Sequence, residues 1–152
     1  MKTRSLALAL VLALALTAVA YAATHTLTGK FKGDSNATVS LVVKTNKAGT
    51  ATKVSSFKVR RLTGVCNGAV QRDLDITVRN VKVTKSKANG RTVYGFSKRD
   101  VTVDPAYTIS GTFKSRTGTR VTGGSIDISA QRAGGAVACR VYPVGYTAKV
   151  KR

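Results

Sequence analysis

Apolar residues fall at every second position over one stretch after another of this chain. That period of two is the signature of strands. Val39, Leu41 and Val43 alternate with Ser40, Val42 and Lys44. Phe57 and Val59 alternate with Lys58 and Arg60, and Leu74, Ile76 and Val78 with Asp73, Asp75, Thr77 and Arg79. Ile126 and Ile128 flank Asp127; Val137, Cys139 and Val141 share a parity, as do Tyr146, Ala148 and Val150. After Asn80 the pattern resumes at Val81 and Val83 with the opposite parity. A one-residue slip exchanges the buried and exposed faces of a strand, so a bulge or bend is expected near Asn80.

Turn residues punctuate these runs. Gly33-Asp34-Ser35-Asn36 ends the first strand and Asn46-Lys47-Ala48-Gly49 separates the next two. Asn67-Gly68 and Asn89-Gly90 are tight-turn pairs, because both residue types tolerate positive φ. Asp104-Pro105, Gly123-Gly124 and Gly134-Gly135 mark further breaks. The spacing predicts an all-β chain of eight to ten antiparallel strands. The expected fold is a single β-sandwich, Ig-like or jelly-roll-like, with a closed β-barrel as the alternative.

The first residues follow a different rule. Met1-Lys2-Thr3-Arg4 precedes an apolar run from Leu6 to Ala20 and then small residues, the three-part layout of a secretory signal. Residues 1–22 are read as a signal peptide, cut after residue 20 or 22, and 23–152 as one β domain. No second apolar span follows, so no transmembrane segment is expected in the mature protein. The predicted location is secreted or extracytoplasmic, with association at the cell surface. Outside the cell two thiols pair, which makes Cys66–Cys139 the expected disulfide. Closing a loop of about 74 residues contributes roughly 4 kcal/mol in the chain-entropy picture.

Several short motifs occur in a fixed order: Thr28-Gly29-Lys30-Phe31-Lys32-Gly33, Cys66-Asn67-Gly68, Ser110-Gly111-Thr112-Phe113, Gly123-Gly124-Ser125-Ile126 and Gly145-Tyr146-Thr147-Ala148-Lys149. This order resembles that of small secreted actinobacterial disulfide-bonded β-domain proteins of unknown function. The chain departs from them with Cys139-Arg140-Val141 in place of a Cys-x-Gly turn and with Tyr146 in place of Trp. The resemblance implies export, the fold class and the Cys66–Cys139 bridge, and no activity.

Charge is the broadest functional signal. The chain carries 26 Lys+Arg against 6 Asp+Glu, for a net charge of +20, and every acid is Asp. Cations cluster at Lys58, Arg60 and Arg61, and at Lys82, Lys85, Lys87 and Arg91 around the Asn89-Gly90 turn. Those seven are the predicted polyanion-binding residues. The partners expected for them are anionic cell-wall polymers, lipid head groups or nucleic acid.

Catalytic chemistry finds little support. There is one His, no Trp and no Glu. Asp73 and Asp75 share a strand face, but a hydrolase built on them would sit among core-alternating, solvent-facing positions. No cofactor is expected, and the chain is read as non-enzymatic. One metal reading exists. If the cut follows Ala22, the terminus Ala23-Thr24-His25 offers an amine, two amide nitrogens and an imidazole, a set suited to Cu(II) or Ni(II).

Overall fold

The structure is a computed structural model that describes residues 22–103, 105–131 and 137–151. The signal-like leader lies outside these residues, apart from Ala22. Eight strands follow in order: β1 Thr24–Phe31, β2 Asp34–Thr45, β3 Ala51–Cys66, β4 Ala69–Ala88, β5 Arg91–Asp100, β6 Ala106–Phe113, β7 Arg120–Gln131 and β8 Val137–Val150. Each pairs antiparallel with the next, and β8 returns to β1, with Leu27 opposite Val150 and Phe31 opposite Tyr146.

The sheet therefore closes on itself. The expected all-β antiparallel class holds, but the architecture is the barrel and not the sandwich. Two strands are long, β3 with 16 residues and β4 with 20, where strands usually have about 3–10. Long strands that bend can wrap one continuous sheet around its own core, and bulges supply the bends.

The bend expected at Asn80 is present. Asn80 has a φ of 59°, and the buried set shifts from Ile76 and Val78 to Val81 and Val83. The partner strand shifts with it: Val54 faces Val81 and Ser56 faces Arg79. Against β2, the same place in β3 is a register break between Val42 and Val43. A second bend lies at Arg61, with a φ of 55°. The Asp75 carboxylate holds it, accepting the Arg61 backbone N–H at 3.0 Å and the Arg60 guanidinium. Beyond that bend Leu62 and Cys66 turn inward.

The two ends of the barrel differ. The β1–β2 turn is short, so β3 runs past it and meets β8 directly, with Val65 opposite Arg140 and Cys66 opposite Cys139. At this narrow end β3 thus meets β8 without β1 and β2 between them, and the Cys66–Cys139 disulfide fastens that contact. Eight strands surround the wide end. There the 114–119 connection folds inward: Ala51 N–H donates to the Arg116 carbonyl at 2.7 Å, and Val150 N–H to that of Thr119 at 3.2 Å.

Side chains fill the interior. Phe57 touches Phe96 and Tyr146, Phe31 touches Tyr146, and Phe96 touches Phe113, with ring centroids 5.5–6.2 Å apart. Leu27, Leu41, Ile109, Ile126 and Ile128 complete the packing. Gly124 makes room for Tyr146, since a Cβ there would lie 2.2 Å from the ring. The Tyr146 hydroxyl donates to the Ser110 carbonyl at 2.7 Å, and burial pushes its pKa far above the ordinary tyrosine range. Aromatic and aliphatic side chains thus occupy the barrel interior.

Candidate anion-binding surface

Charge is divided along the barrel axis. Asp34, Asp73, Asp75, Asp100 and Asp127 all lie in the half of their strands nearer the narrow end; Asp104 is outside the described residues. The described wide-end half holds no acid. It holds Lys44, Lys47 and Lys53 around the β2–β3 turn, Arg79, Lys82, Lys85 and Lys87 along β4, and Arg91, Lys114, Arg116, Arg120 and Lys149.

The strand register brings several of these together. Lys44 lies opposite Lys53, and Lys53 opposite Lys82. Their chain neighbours Val43, Val54 and Val81 are buried, so all three lysines face outward. Adjacent strands are about 4.8 Å apart, which places three ammonium stems side by side. Like charges directly opposite each other destabilise a sheet. Arg79, opposite Ser56, and Lys58, between Ser40 and Thr77, continue the same outer surface toward mid-barrel.

The seven residues expected from sequence do not form one patch. Lys58 and Lys82 share the outer surface of β3 and β4. Arg60 is bound to Asp75, the one ion pair among the described residues, and Arg61 sits at the bend beside it. In the β4–β5 hairpin, Lys85 and Lys87 have the parity of the buried Val83, opposite Tyr94 and Thr92. Lys82 and Arg91 have the other parity. The hairpin tip projects beyond the sheet, because the β6 pairing stops at Tyr94, so it offers cations on both sides. Lys44, Lys53 and Arg79 were missed. Each is an unremarkable polar position in its own strand and becomes part of a cluster only through register.

The acids are engaged locally. Asp34 accepts the N–H groups of Asn36 and Ala37 with one oxygen and that of Thr63 with the other, each at 3.1 Å. Partial burial raises its pKa, and these bonds, led by Thr63, more than offset that and hold it below the ordinary value. The Arg61 N–H and the Arg60 side chain hold Asp75 low, and the Thr102 hydroxyl and N–H do so for Asp100. Asp75 thus serves the Arg61 bend; the side chain of Asp73 lies outside the described residues. Among the described residues no group of three His, Cys, Asp or Glu could hold a metal ion.

His25 lies in β1 opposite Val43. Beside it Thr45 N–H donates to the Ala23 carbonyl at 2.9 Å, and Ala23 N–H to the Thr45 hydroxyl at 2.9 Å. Chelation of Cu(II) or Ni(II) by Ala23-Thr24-His25 therefore requires these residues to leave the sheet.

The surface carries hollows of two characters. At the narrow end a notch of about 610 Å³ lies between Lys32–Asn36, Thr63–Val65 and Arg140–Val144. Its rim exposes Val65, Val70 and Tyr142, with the Arg140 guanidinium 4.9 Å from the Tyr142 ring centroid. Along β8, two adjoining hollows of about 320 and 530 Å³ share Lys30 and Thr147. Comparison of the chain with protein-family models, curated proteins and solved structures finds no match.

Proposed function

We propose that this chain is an exported, non-enzymatic β-barrel that binds acidic polymers at the cell surface through the wide end and the adjoining β2–β4 outer face. One observation carries the reading: cations lie along the whole barrel, but the described wide-end half contains no acid, while the acids gather around the narrow end. Charge kept only for solubility needs no such exclusion of acids from one end. A surface with lysines opposite one another across three strands is destabilised until a polyanion neutralises it. The leader-like N-terminus and the disulfide support an extracytoplasmic setting.

The test is a salt series on immobilised poly(glycerol phosphate), anionic vesicles and duplex DNA. The expected result is retention at about 0.15 M salt that falls steeply as salt rises. The variant K44Q/K53Q/K82Q should lose most of that retention. It should also unfold at a slightly higher temperature, since each opposed pair removed relieves about 0.2–1 kcal/mol. Wild-type protein that passes through every matrix at 0.15 M salt would sink the reading.

A further inference from the structure

The two hollows along β8 form one groove on the outside of the barrel. Its floor is the second half of β8, with β1 on one side and β7 on the other. Arg120 lies opposite Lys149, Lys149 opposite Thr28, and Thr147 opposite Lys30. Four cations therefore border the groove from the wide end downward: Arg120 and Lys149, then Lys30, then Lys32. No carboxylate lines it. Lys30 donates to the Ser35 carbonyl at 3.1 Å, a contact that leaves its charge unneutralised.

The width limits what can lie there. Strands on either side of one central strand are about 10 Å apart, room for one extended chain and too little for a duplex. From Gly145 to Lys149 the groove runs roughly 14 Å, enough for more than one anionic group of a short-repeat polymer. Its two aromatic residues, Phe31 and Tyr146, are buried in the core. Nucleobases would find no exposed ring to stack on, which removes the main source of single-strand nucleic-acid affinity.

Resting on the acidic-polymer reading, we infer that this groove binds a single strand of a polyol phosphate, a thin phosphodiester chain without bulky side groups. The cations meet its phosphates, and the hydroxyls of Thr28, Thr122 and Thr147 lie within reach of its oxygens.

Two glycines allow a test that leaves every charge in place. A Cβ on Gly123 would meet nothing within 4 Å, and one on Gly145 only the Gly124 carbonyl at 3.7 Å, an ordinary contact. Neither has a positive φ. G123V and G145V should therefore keep the wild-type melting temperature within a few degrees while placing a side chain in the groove. The experiment measures poly(glycerol phosphate), single-stranded oligonucleotide, polygalacturonate and duplex DNA against wild type and both variants. Affinity for poly(glycerol phosphate) should fall about tenfold or more in the folded variants, with duplex DNA retention unchanged. R120Q/K149Q should weaken poly(glycerol phosphate) as well. Unchanged poly(glycerol phosphate) affinity in both glycine variants overturns the groove and leaves the wide-end reading standing. Wild type that binds none of the four polymers overturns that reading itself. Oligonucleotide or polygalacturonate bound as tightly, with the same loss in the variants, overturns the choice of polyol phosphate.

Discussion

The wide and narrow ends of this barrel are made from the same eight strands and solve opposite problems. At the wide end the sheet is broad, closed over by the 114–119 connection, and covered with cations that have no acid to answer them. The narrow end draws β3 directly onto β8, ties them with a disulfide, and engages Asp34, Asp75 and Asp100 in local hydrogen bonds. It also exposes Val70 at 70% and Tyr142 at 65% of their surface. The difference teaches that the acids, and not the cations, are sorted along the barrel axis. The disulfide and the acid-held bends sit at one end, while cations without a nearby acid dominate the other.

Breaking the fastening should have the largest effect. Replacing both cysteines, C66A/C139A, removes the covalent link between β3 and β8 at the narrow end. The expected loss is about 2–5 kcal/mol of unfolding free energy, measured by denaturant titration. Below its melting point the variant should still be retained on a polyanion matrix, because the cations of the wide end do not depend on the bridge. Loss of retention in a folded variant would mean that the ends are coupled.

Packing under β8 comes next. Gly123 and Gly124 are neighbours with opposite demands: one faces open space and the other faces the Tyr146 ring. G124A should cost roughly 1–3 kcal/mol by overpacking, whereas G123A should change stability by a few tenths. Equal effects at the two positions would show that the Tyr146 ring has room to move, and would weaken the account of how the barrel fills itself.

Much of this was legible before any coordinates. Period-two alternation identified strands, the Asn-Gly pairs identified the β3–β4 and β4–β5 turns, and the parity change identified the bend at Asn80. Cys66 and Cys139 followed from an exported setting. Closure was not legible, because the β1–β8 pairing leaves no local trace and a sandwich strand reads like a barrel strand. The candidate anion-binding surface was half legible. Lys82 could be picked out by its neighbours in sequence, but its neighbours in space, Lys53 and Lys44, come from two other strands. Arg60 shows the reverse: it sits in a basic run and is already committed to Asp75, 15 residues away.

Acid gives the smallest expected effect and the most direct contrast between the ends. Asp34 ties the β1–β2 turn to Thr63 of β3, just where the barrel narrows. Its folded-state pKa lies below the ordinary 3.8. A depressed carboxyl contributes stability that is present above the unfolded pKa and is lost as pH falls through the folded one. D34A should therefore be less stable than wild type by about 1 kcal/mol at neutral pH. That gap should narrow as pH falls through the folded-state pKa, below 3.8, where the wild-type carboxyl gains its proton. Unfolding followed from pH 7 down to about pH 2 measures the gap, and a gap with no pH dependence over that range would assign the Asp34 effect to packing instead of charge. Among the described residues the wide end holds no acidic side chain. The same acidification should leave polyanion retention intact while the narrow end loosens, so one titration separates the end that holds from the end that binds.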